Sequence, residues 1–227
     1  MRGDKMDFGP KILFVIPLLG GIPVTDSVVV SWFIVAFLGI IFYMGGRHLK
    51  NIPEGMQNVL EIILDFISSF VTDVTGPKGE VIIPYIGTIA LYLIIANVIG
   101  AFGISPPTRD INIAASLAVL TIIYVIYSSI KARGFKGWLK SFTEPLGIIL
   151  PFKILDIFTR PLSLAVRLFG NIMAGFIIME LVKDFVPVLV PSFLSLYFDF
   201  FDGLIQAVVF SLLTVMYVHE GMEKMED

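Results

Sequence analysis

Long apolar runs, each closed by a polar cluster, set the plan of this chain. Ser27–Gly46, Val81–Pro106 and Ile111–Ile130 contain no charged side chain. A helix needs about 20 apolar residues to cross the hydrocarbon core of a bilayer, so each run predicts a span (27–46, 81–106 and 111–130). Asp26 is placed to cap the first. The stretch PEGMQNVLEIILDFISSFVTDVTG between the first two runs has another rhythm. Its polar residues Glu54, Asn58, Glu61, Asp65, Ser68 and Thr72 recur in steps of three and four, with Val59, Ile62, Ile63, Phe66 and Phe70 opposite. That spacing draws one wet stripe along a helix. It predicts an amphipathic helix over 54–74 that lies on the membrane or against other helices and does not cross.

The last third of the chain is apolar but punctured. Segment 147–184 carries Lys153, Asp156, Arg160, Arg167 and Glu180; segment 185–219 carries Asp199 and Asp202, with Pro187 and Pro191 at its start. Both exceed the length of a perpendicular span, and tilt accommodates the excess. The fold class expected is therefore an all-α polytopic membrane protein. It has about five membrane-crossing helices, the last two long and strongly tilted, plus one amphipathic non-crossing helix, in a single integral membrane domain over 1–227. The N-terminal segment 1–26 has a signal-peptide-like order of basic then apolar residues, but Asp4, Asp7 and Pro17 disfavour cleavage. A segment lying at the outer membrane surface is expected instead.

Basic residues follow the first span (GRHLK) and the third (KARGFKGWLK). Lys and Arg concentrate on the cytoplasmic side, and the two loops share a side only if the amphipathic helix does not cross. The N-terminus and the SPPTRDIN loop are then outside; residues 131–140 and the tail EGMEKMED are cytoplasmic.

Composition agrees with a membrane protein. The 227 residues are 56% hydrophobic and 15% charged, with mean hydropathy +0.90. A net charge of −3 without a basic cluster gives nucleic acid no footprint, and the lack of cysteine removes thiolate chemistry. His48 and His219 read as interface residues rather than metal ligands. No G-x-x-x-x-G-K-[ST] phosphate loop occurs, so nucleotide chemistry is expected on other chains, and neither metal nor cofactor is expected on this one.

Lys153, Asp156, Arg160, Ser163, Arg167 and Asn171 follow one another at spacings of 3, 4, 3, 4 and 4, a single helical face about 27 Å long. An arginine at the bilayer centre costs about 2.5–3.5 kcal/mol even on the lenient insertion scale, so this face must meet protein or water. Asp199, Asp202 and Gln206 repeat the habit, continued by Thr214 and Tyr217. Two such faces can enclose a hydrated passage, with Asn112 and Ser116 as further lining groups. Simpler readings stand beside these. Arg160 can snorkel to an interface, Lys153 and Asp156 can pair at i,i+3, Asn112 can serve only to start a helix, and Asp202-Gly203 can mark a helix irregularity. Arg167, flanked by Leu164, Ala165, Val166, Leu168 and Phe169 with no acid one turn away, is harder to give a purely structural role.

RPLSLAVRLFGNIMAG (160–175) resembles the signature of subunit a of F-type ATP synthases, PPTRDIN (106–112) resembles that family's motif opening its fourth helix, and LIQAVVFSLLTVMYV (204–218) resembles its last helix. The resemblance implies an ion-translocating stator subunit in a bacterial inner membrane. Its partners would be an oligomeric c-ring, the b subunits of the peripheral stalk, the rest of the F1Fo complex and membrane lipid. Two half-channels would deliver H+ or Na+ to ring carboxylates and remove it. Arg167 would occupy the essential arginine position between them, Asn171 and Gln206 polar positions beside it, and Asn112 the fourth-helix asparagine. Many relatives carry an acid or histidine after AG, where this chain has Phe176. Asp199, with Asp202 or Glu180, is then expected to line the outer half-channel. Two other classes compete: a secondary ion-coupled transporter, for which no inverted repeat is evident, and a non-transporting scaffold in which Arg167 only pairs with a partner's acid.

Overall fold

The computed structural model describes residues 11–17, 22–47, 50, 52–142, 150–185 and 189–222. The architecture is helical, and five of its helical stretches are long and apolar enough to cross a membrane. Ahead of the first span lies a β-ribbon that the all-helical expectation left out. Strands β1 (Ile12–Ile16) and β2 (Ile22–Thr25) form an antiparallel ribbon with an irregularity between Ile12 and Phe14. It is rich in the β-branched residues that suit a pleated surface.

Helix α1 (Asp26–Gly46) begins at Asp26 itself, with Thr25 in the N-cap position. The expected cap is thus displaced by one residue. Asp26 Oδ1 accepts from the backbone N–H of Ser27 (2.9 Å) and of Lys11 (3.1 Å), tying the helix start to the ribbon. Helix α2 (Met56–Thr75) has three sides rather than two. Ile67 and Val71 are buried against the bundle, Asp65 is exposed, and Val59, Ile62 and Phe66 form an exposed apolar row. That third side suits a helix half-sunk in lipid.

A 3-10 segment (Gly76–Ile82) leads into α3 (Ile83–Val98), and a second (Ile99–Phe102) ends at Gly103, whose φ of 78° is in the left-handed region. The membrane-length helical stretch is Gly79–Phe102. After a 3-10 turn (Pro107–Arg109), α4 (Ile111–Lys140) runs through the basic segment, with a kink at Gly134 (φ 74°, ψ 159°), a backbone conformation open essentially to glycine alone.

Helix α5 (Leu150–Phe185) is 36 residues long, about 54 Å, and contains Pro161. The last segment runs without interruption through α6 (Leu189–Ser195), a π-helix (Leu196–Asp202) and α7 (Gly203–Met222). The irregularity suspected at Asp202-Gly203 is the end of that π-helix.

Small residues let the helices close on one another, as bilayer packing requires. Ala96, Ala114, Ala118, Ala165 and Ala207 sit in the core with Ile89, Leu93, Leu164, Leu168 and Phe210. A Cβ added at Gly203 would lie 2.8 Å from Asn97 Cβ, so α3 and α7 touch there backbone to backbone. At the opposite end of α7, Gly221 faces the Ser129 hydroxyl of α4. A second core, Ile67, Val71, Ile82, Ile86, Val125, Val215 and Val218, joins α2 to the bundle.

Candidate functional site

The heptad-like rhythm of α5 decides where its arginines go. Leu164 and Leu168 are almost fully buried (1% and 0%) and face the core. Arg167 therefore falls on the flank, half-buried, between exposed Ser163 and exposed Asn171. The other described arginines all have partners. Arg47 lies over the Tyr43 ring (5.9 Å to the centroid) and Arg109 over Phe176 (4.3 Å). Arg133 Nη2 donates to the Glu220 carbonyl at 2.9 Å. Arg160 pairs with Glu220 (2.8 Å) and Asp156 (3.3 Å) and lies over Tyr217. Among the described residues, Arg167 has no ion pair, hydrogen bond or ring contact.

One turn along, Asn171 Nδ2 donates to Gln206 Oε1 at 2.7 Å, joining α5 to α7. Gln206 is only 3% exposed, and its Nε2 is buried with no acceptor. Nearby, Asn97 Nδ2 donates to the Gly203 carbonyl (3.0 Å) and Thr108 Oγ1 to Asn97 Oδ1 (2.8 Å), all of them buried. A small cavity of about 20 Å³ is lined by Asn97, Pro106, Asn171, Ile172, Gly175, Phe176 and Phe198. It lies toward the end of the bundle that carries the 103–110 turn.

At the other end, Lys153, Asp156 and Arg160 of the predicted stripe line a larger cavity of about 280 Å³, with Arg133, Ser129 and Glu220. Asp156 takes Arg160 as its partner at i,i+4, in place of the expected i,i+3 pairing with Lys153, whose Nζ donates to the Ser141 carbonyl. Two acids and an aromatic face hold Arg160 half-buried. Along α5, then, residues 153–160 border one cavity, 171–176 border another, and Arg167 stands between them.

Neither cavity is lined by Asn112, Thr214, Glu180 or Asp202. Asn112 donates through both its backbone N and Nδ2 to Asp110 Oδ1 (2.9 and 3.1 Å), the N-cap of α4. Thr214 is fully buried and bonds back to the Phe210 carbonyl. Glu180 is half-buried further along α5, and Asp202 is half-buried at the end of the π-helix. Asp199 belongs to that π-helix, but its side chain, like all of His48, falls outside the described residues. Sequence reasoning missed Asn97, Thr108, Arg109 and Glu220. Asn97 had a signal: it is the single amide in the uncharged run 81–106.

Comparison with known proteins gives the family. The family model described as ATP synthase A chain matches residues 28–219. The chain is 34% identical to the ATP synthase subunit a, sodium ion specific, of Propionigenium modestum, over 96% of this chain and 88% of that protein. It is 36% identical to the ATP synthase subunit a 2 of Bradyrhizobium sp. strain BTAi1, over 88% of this chain and 90% of that one. With a match across most of its length and relatives above 30% identity covering nearly all of it, the chain belongs to the ATP synthase A chain family.

Proposed function

We propose that this chain is the ion-translocating stator subunit of a bacterial rotary ATP synthase, with Arg167 as the fixed charge that separates two ion paths. One observation carries the reading: a guanidinium with no partner among the described residues, on the flank of α5, between the stretch of that helix that borders one cavity and the stretch that borders another. A charge within a membrane span must meet water or a countercharge, and a carboxylate on a passing c-ring subunit supplies the countercharge.

The chemistry follows from the residue types. Arginine keeps its proton at any working pH, so Arg167 acts as a charge and not as a relay. A ring carboxylate in lipid favours its neutral, loaded form through desolvation, while a nearby cation favours the ionised form. At about 4 Å and an effective dielectric near 20 the attraction is about 4 kcal/mol. That releases the ion locally and still lets the ring move on. The membrane potential contributes about 2.3 kcal/mol per charge per 100 mV.

In this reading the 103–110 turn faces outside and the C-terminus the cytoplasm. The outer path approaches Asn171 and Gln206, with Asp199, Asp202 and Glu180 on its flank and Asn112 near its mouth. The inner path opens through the cavity of Lys153, Asp156 and Arg160. The b subunits of a peripheral stalk hold the chain against the ring, and nucleotide chemistry resides on other subunits. The secondary-transporter alternative is not favoured, because it leaves the family membership unexplained.

The experiment is ATP-driven transport by the reconstituted complex, with and without sodium to identify the ion. Arg167→Ala is expected to abolish coupled transport while the complex still assembles. Retained pumping would refute the assignment.

A further inference from the structure

Phe176 stands where an exchangeable side chain was expected, and it has acquired a partner. The Arg109 guanidinium lies 4.3 Å from the centre of its ring, a cation held on the aromatic face. Phe176 is also a wall of the 20 Å³ cavity that reaches Asn171. A void of that size holds about one water. Asn171 in turn bonds Gln206, whose buried Nε2 lacks an acceptor. Phe176 lies five residues beyond Asn171, about 7.5 Å along the helix axis.

The backbone on either side of Arg109 is anchored. Thr108 is fully buried and bonds Asn97; Asp110 is 4% exposed, caps α4, and accepts from Thr25 Oγ1 at 3.4 Å. With its neighbours fixed, the freedom left at this point belongs to the Arg109 side chain. While stacked, that side chain pins the ring against the one-water void and places a positive charge on the approach of a cation.

Building on the proposed function, we infer that Arg109 is a positioning residue: it holds Phe176 across the outer route to Asn171–Gln206, and the pair sets how readily the coupling ion enters. Neither residue exchanges the ion. The aromatic ring and its cation govern access where a titratable group would otherwise govern exchange.

The test uses the whole reconstituted complex making ATP under an imposed potential. The outer concentration of the coupling ion is varied, as Na+ at fixed pH or as H+ in sodium-free buffer. Arg109→Gln and Phe176→Leu are each expected to lower the half-saturating concentration about three- to tenfold, the range that a partly desolvated cation–π contact commands. The maximal rate should stay within about twofold, and the double variant should show no further shift. Phe176→Tyr, which keeps the ring face, should hold the wild-type value. An unchanged half-saturating concentration in both single variants would overturn the inference. So would a shift in Arg109→Gln without one in Phe176→Leu, which is a bare charge effect, or a shift in Phe176→Tyr equal to that of Phe176→Leu. Arg167→Ala run alongside separates the two readings. If it still pumps, the proposed function fails; if it is inactive while Arg109 and Phe176 variants behave as wild type, only this inference fails.

Discussion

Gly203→Ala tests the closest approach in the bundle. The new methyl would lie 2.8 Å from Asn97 Cβ and 3.4 Å from its backbone carbonyl carbon. Ordinary contact begins at 3.4 Å, so α3 and α7 must separate by about 0.6 Å. Forcing a methyl into a packed core costs about 1–3 kcal/mol. The same displacement stretches the 3.0 Å bond from Asn97 Nδ2 to the Gly203 carbonyl past the useful limit. Asn97 is 1% exposed, so its amide loses a partner without gaining water, a further cost of about 1–3 kcal/mol. The expected loss is about 2–6 kcal/mol, read as unfolding free energy in mixed micelles titrated with a denaturing detergent. Asn97→Gly removes the opposing Cβ, so the double variant should be markedly less destabilised than the sum of the two singles. Additive losses, or a Gly203→Ala protein as stable as wild type, would show that α3 and α7 do not meet as described.

Three further outcomes follow from the geometry. Arg160→Gln should cost at most about 1 kcal/mol, with little left at 1 M salt, because its two acidic partners are more than half exposed; the same titration with and without salt checks it. Gly134→Ala should destabilise by about 1–3 kcal/mol, since φ 74° with ψ 159° is open essentially to glycine alone, and the loss should appear in thermal unfolding of the purified chain. Phe66→Trp, at a position 71% exposed on the apolar side of α2, should give blue-shifted emission quenched by lipids brominated near the headgroup. Water-like emission there would remove α2 from the membrane surface.

Periodicity made much of this legible. Residues at steps of three and four share a helix face whatever the tertiary context, so the Lys153–Asn171 stripe and the wet side of α2 could be read directly. Its limits are physical too. Asn97 meets Gly203 from 106 positions away, and no local pattern encodes such a meeting. The spacing showed that Asp156 could reach a cation one turn away but left two cations within reach. Glu220, from the far end of the chain, helps hold the one that wins. The π-helix over Leu196–Asp202 has no periodic mark of its own, and the third side of α2 emerged only once the bundle had claimed one of the other two.

Pro161 leaves a mark one turn behind itself. Having no N–H, it returns nothing to the carbonyl of Ile157, which loses its rung of the helical ladder. Ile157 borders the larger cavity, beside Asp156 and Arg160. An oxygen released in this way must find another donor, and a cavity of about 280 Å³ has room for water to be that donor. The main chain thus adds a polar acceptor beside the charged side chains of this cavity. Sitting one residue after a guanidinium already held by two carboxylates, the proline also gives α5 a soft joint.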